Sequence, residues 1–155
     1  MTRQELSELI NSHPFLEGLD PAFLSTLVDC AGNVRIEAGQ LVLREGESAD
    51  RFYLITEGVV ALEYFAPGRG AVIFQRLGGG DVLGVSWLVP PYRWAFDAMV
   101  EEQMQAIAFD ARCLRAKCDE NPSLGYQILN RFLPKLVERL QATRLENIDA
   151  YRTDK

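Results

Sequence analysis

The chain has 155 residues, the length of one domain with a single sizeable core. Apolar residues make up 48% and charged residues 25%, which excludes chain-wide disorder, collagen-like repeats and low complexity. The net charge of −6 and pI near 4.8 argue against a nucleic-acid partner bound along its phosphates.

The N-terminus, Met1-Thr-Arg-Gln-Glu-Leu-Ser-Glu-Leu-Ile10, has no apolar signal core, and no run long enough to span a membrane follows. A cytoplasmic protein without membrane contact is expected. Leu6, Leu9 and Ile10 predict a helix over 3–12 that ends at His13-Pro14. His13 is the one histidine, so a zinc site, a Ser-His-Asp triad or a metal-binding barrel lacks its parts. No enzyme and no metal are expected. Asp20-Pro21 opens a second helix with Phe23, Leu24, Leu27 and Val28 on one face and Gly32 at its close.

From Val34 to Phe109 short apolar runs recur between glycines: 34–36, 41–43, 52–55, 59–64, 71–76, 82–83, 95–100 and 104–109. That is a sandwich or barrel of about eight strands. Helical spacing then returns. Asp110 caps a helix to about Asp119, and Asn121-Pro122 starts another that reaches about Tyr151. Leu129, Leu133, Leu136, Leu140, Thr143 and Asn147 follow 4-3-4-3-4 spacing, the seam of a coiled coil. A homodimer through 129–147 is expected. Pro134 interrupts the seam and is expected to kink or split the helix. Three cysteines without CxxC spacing fit a reducing compartment better than a disulfide framework. Cys113 and Cys118, five apart, read as ordinary helix residues.

The segment Val42-Leu-Arg-Glu-Gly46-Glu-Ser-Ala49-Asp-Arg-Phe52-Tyr-Leu-Ile55-Thr-Glu-Gly58, with Gly39 before it and Gly80-Asp81-Val-Leu-Gly84 after it, resembles the cyclic nucleotide-binding domain family. The resemblance is to the sensor domain of the catabolite activator protein type, without a DNA-binding domain, and runs from about Phe15 to Tyr151. It implies a mainly β fold with flanking α: a jelly-roll β-roll at about 33–109, helices at about 3–31, C-terminal helices at about 110–151, one domain over 1–155. It also implies a regulatory domain whose effector is cAMP, cGMP or another anion, with output through the dimer or a separate effector protein.

In nucleotide-binding members the phosphate-binding cassette runs Gly-Glu, a small residue, an aliphatic pair, a loop, then Arg, Ser or Thr, and Ala. The Glu accepts from a ribose hydroxyl, the Arg pairs with the cyclic phosphate, and backbone N–H groups of a helix start cradle it. Here the segment reads Gly84-Val85-Ser86-Trp87-Leu88-Val89-Pro90-Pro91-Tyr92-Arg93-Trp94-Ala95. Val85 stands at the glutamate and Trp94 at the hydroxyl residue, so the cassette is degenerate. Losing the ribose contact alone costs about 1.5–3 kcal/mol, roughly ten- to a hundredfold in affinity. Arg93 is the candidate phosphate ligand, or else pairs with Asp97 or meets solvent. Trp87, Tyr92, Trp94 and Phe96 either stack on a ligand or fill the roll. Thr143 matches the threonine by which the family's C-terminal helix reaches the base, whereas Arg144 stands where that family has a serine; Thr143 either makes that contact or packs on the seam, and Arg144 either reaches a base or meets solvent. A cassette that binds nothing would leave a scaffold or interaction subunit.

Overall fold

The computed structural model describes residues 1–153, with side chains through residue 141. Helix α1, Arg3–Ser12, begins with a capping box between Thr2 and Glu5. Two short 3-10 turns follow, Pro14–Leu16 and Pro21–Phe23, before α2, Leu24–Asp29. Asp20 accepts from the Ala22 N–H at 3.0 Å, the cap its position before a proline predicts. Gly32 does not close α2. It lies in strand β1, Ala31–Ile36, opposite Ala108.

The roll is one antiparallel sheet of six strands. After β1 come β2 (Leu41–Leu43), β3 (Arg51–Ala66), β4 (Gly70–Leu77), β5 (Val82–Leu83) and β6 (Asp97–Asp110). The order is β1-β6-β3-β4, with β2 on β6 and β5 on β3. Six strands stand where eight apolar runs stood, because runs 52–55 and 59–64 join in β3, and 95–100 and 104–109 join in β6. Gly58 breaks no strand. At φ 108° it sits in a bulge where the β3–β6 register shifts. A Cβ there would meet the Met104 Cα at 2.8 Å, so β6 crosses too close for any side chain.

Helix α3, Ala111–Glu120, is capped by Asp110, which accepts from the Cys113 N–H at 3.1 Å. Helix α4, Pro122–Thr153, runs through Pro134 as one element rather than two. The carbonyl that Pro134 leaves without a donor belongs to Asn130, an exposed residue open to water. α4 carries two apolar stripes. Leu124, Ile128 and Phe132 are buried against the roll. The predicted seam is the other stripe: Leu129 is 52% exposed, Leu133 59%, Leu136 45% and Leu140 64%. Among the described residues no helix is long and apolar enough to cross a membrane.

The expectation of three unpaired cysteines, with Cys113 an ordinary helix residue, is corrected at Cys30 and Cys113. They are disulfide-bonded with Cα atoms 5.7 Å apart, and Cys118 stays free. The pairing joins positions 83 residues apart, which local spacing does not report.

Candidate functional site

β5 delivers the chain to Gly84, whose φ of 102° favours glycine. A Cβ there would also lie 2.7 Å from Cη2 of Trp94. Val85 follows, buried, and then one 3-10 turn, Ser86–Leu88. The loop closes with a cis Pro90–Pro91 bond and Tyr92 at φ 57°. The Tyr92 N–H donates to the Val89 carbonyl at 2.9 Å. Trp94 then ties the loop to the segment before β3. Its N–H donates to the Glu47 carbonyl, and its carbonyl accepts from the Gly46 N–H, both at 2.9 Å.

The cassette aromatics divide between core and surface. Trp87, Trp94 and Phe96 are buried in the core, and only Tyr92 is half-buried at the surface. Trp87 stacks on Phe52 with ring centroids 4.6 Å apart, and Phe52 stacks on Phe109 at 4.8 Å. Trp87, Trp94 and Phe96 therefore fill the roll.

Arg93 is exposed, and its Nη1 donates to the Gly46 carbonyl at 2.8 Å. It does not pair with Asp97. That carboxylate accepts from the Glu45 N–H at 2.8 Å instead. Among the described residues Arg93 forms no ion pair, so its charge is available to an anion.

A cavity of about 600 Å3 opens between the cassette loop and α4. Val85, Leu88, Val89, Pro90 and Pro91 form one wall, and Leu129, Phe132, Leu133 and Leu136 the other. Ser86, Arg93 and Asn130 are its polar lining residues. Of the positions singled out by sequence, Val85, Ser86 and Arg93 meet there. Gly84, Trp87 and Trp94 pack inward, and Ala95 is exposed. The side chains of Thr143 and Arg144 lie outside the described residues.

Three residues that sequence reading missed hold the cavity walls together. Phe132 meets Trp87 edge-on at 5.3 Å, Phe52 at 5.2 Å and Phe15 at 4.8 Å, joining α4 to cassette, roll and N-terminal segment. Arg115 of α3 donates from Nη1 to the Trp87 carbonyl at 2.7 Å and lies 4.2 Å over the Tyr92 ring. Arg139 of α4 is buried and donates from Nη2 to the Val82 carbonyl of β5. Burial lowers its pKa to about 10, against the raising effects of Glu138 and Asp81, so it remains charged at neutral pH. The available signal for Phe132 was its four-residue step from Ile128; nothing local marked the two arginines.

The family profile described as "Cyclic nucleotide-binding domain" matches residues 33–121. The chain belongs to that family. It is 25% identical over 149 residues to a CRP-like cAMP-activated global transcriptional regulator of Mycobacterium tuberculosis, covering 96% of this chain and 65% of that one. The chain thus spans less than two thirds of that relative. Two solved structures share its fold. A cyclic nucleotide-binding domain from Methylobacillus flagellatus has a TM-score of 0.76 at 18% identity, over 96% of this chain and 83% of that one. The sensor domain of the transcriptional regulator DNR from Pseudomonas aeruginosa has a TM-score of 0.70 at 21% identity, over 90% and 93%.

Proposed function

We propose that this cyclic nucleotide-binding-type domain is a non-catalytic, cytoplasmic sensor with a degenerate cassette, and that its effector is a small molecule with an apolar body and one anionic group. The observation that carries the reading is Arg93, a cation without a carboxylate partner among the described residues, at an otherwise largely apolar cavity. An apolar wall with one fixed charge suits an amphipathic anion. A cyclic nucleotide suits it less. It brings a ribose hydroxyl to Val85, which accepts no hydrogen bond, and the space of the family's phosphate-touching hydroxyl is taken by the Trp94 indole packed on Gly84.

Output runs through α4. The exposed seam of Leu129, Leu133, Leu136 and Leu140 supports a homodimer through 129–147. Leu129, Leu133 and Leu136 also line the cavity, so a ligand and a second copy share side chains. Binding then shifts the position of α4 if the two positions differ in affinity, and a separate effector protein reads the change.

Calorimetric titration with decanoate and with naphthoate tests this reading. Saturable heat in the parent protein, weakened at least about tenfold in Arg93→Ala, is expected from the loss of one charged hydrogen bond. Absence of heat from either carboxylate contradicts it and leaves the scaffold reading, carried by the exposed seam alone.

A further inference from the structure

We infer that Cys30 and Cys113 form a reversible, peroxide-driven disulfide that tightens the hold of α3 on the cassette. This inference does not depend on what the cavity binds. Cys30 caps the C-terminus of α2 and is buried, with its carbonyl taking the Asp110 N–H at 2.8 Å. Cys113 lies in the first turn of α3 and is half-buried. Their Cα atoms are 5.7 Å apart, inside the range that a disulfide spans without moving backbone. A second link crosses the same junction: Lys117, one turn beyond Cys113, lies 3.8 Å from Asp29, the residue before Cys30.

Exposure orders the chemistry. Of the pair, Cys113 is the more exposed, so a peroxide meets it before Cys30. The Cys113 thiolate sulfur attacks one peroxide oxygen, the O–O bond breaks, hydroxide leaves and takes a proton, and Cys113 becomes a sulfenic acid. The Cys30 sulfur then attacks the Cys113 sulfur. The S–O bond breaks, water leaves with the thiol proton, and the S–S bond forms. Two thiols lose two electrons, and hydrogen peroxide becomes two waters. A dithiol reductant returns both electrons. Cys118 stays outside the exchange: it is five residues along the helix from Cys113, and burial beside Asp119 raises its thiol pKa.

The bond fixes the first turn of α3, and the next turn holds the cassette through Arg115, at the Trp87 carbonyl and the Tyr92 ring. Oxidation therefore stiffens the clamp on one wall of the cavity.

The test counts thiols in the whole protein, unfolded under alkylating conditions after native treatment. Reduced protein alkylates at all three cysteines, and protein given hydrogen peroxide at Cys118 alone. The expected peptide map links Cys30 to Cys113, and native treatment with a dithiol restores the reduced pattern. Cys118→Ser still forms the bond; Cys30→Ala and Cys113→Ala do not. Amide exchange across 111–120 slows about tenfold on oxidation. Four outcomes overturn the inference: Cys113 advancing to sulfinic acid while Cys30 stays alkylatable, a bridge to Cys118, a bond that native protein will not release to reductant, or amide exchange across α3 that oxidation leaves unchanged.

Discussion

The indole of Trp94 packs against Gly84 so closely that a Cβ on Gly84 would lie 2.7 Å from Cη2 and 2.9 Å from Cζ3. The two ends of the cassette are thus packed on one another. The glycine is retained for a local reason, with φ 102° and a ring against it. Gly84→Ala should cost about 2–4 kcal/mol, from strain at positive φ and from overpacking. In a Trp94→Ala background the packing part disappears, and urea unfolding of the cycle should show a coupling of about 1–3 kcal/mol. Additive costs would contradict the contact.

His13 sets a pH dependence. Its Nε2 lies 2.9 Å from the Ile55 carbonyl, and its Nδ1 accepts from the Phe15 N–H at 3.2 Å. Only the neutral ring with hydrogen on Nε2 satisfies both. Burial lowers its pKa below 6.5, outweighing the raising effects of Ile55 and Asp81. The unfolded chain therefore takes up the proton first as pH falls. The contribution to stability is whole above 6.5 and declines as pH drops from there toward the folded value. Urea midpoints should fall between about pH 7 and pH 5. In His13→Gln that part of the slope should vanish.

The two stripes of α4 should separate stability from association. Phe132→Ala removes a ring wedged among Phe15, Phe52 and Trp87, and should cost about 3–5 kcal/mol of folding stability. Leu133→Glu alters an exposed seam position, 59% accessible. It should leave the roll's unfolding within about 0.5 kcal/mol of the parent at equal subunit concentration once dimer linkage is removed. Sedimentation should then give a dimer for the parent and a monomer for Leu133→Glu.

Arg139 joins α4 to β5 beside the cassette. Arg139→Met keeps an apolar stem but leaves the Val82 carbonyl without that donor, a loss of about 1–3 kcal/mol. Hydrogen exchange should report it as faster opening of α4 around residue 139, with the β3–β6 pairing unchanged.

Much of this was legible in the chain because it is local. The glycines in turns, such as Gly39 and Gly46 at positive φ, and the Asp20 and Asp110 caps each state their reason within a few residues. What was missed depends on contacts between distant segments. Gly58 read as a turn because spacing does not show that β6 crosses beside it. Phe132 and the Cys30–Cys113 pair acquire their roles only when strands and helices meet. The cassette lay between these cases: Val85 and Trp94 could be read as departures from the family, but the division into inward aromatics and an aliphatic cavity wall needed α4 in place.

The most direct test of the altered cassette is a calorimetric titration of the parent and of Val85→Glu/Trp94→Ser with cAMP. No saturable heat is expected in the parent up to millimolar ligand, and saturable binding is expected in the double variant, which regains a carboxylate and a hydroxyl. Saturable cAMP binding by the parent that is lost in Arg93→Ala would contradict it, and would make this an ordinary nucleotide site with an unusual ribose contact.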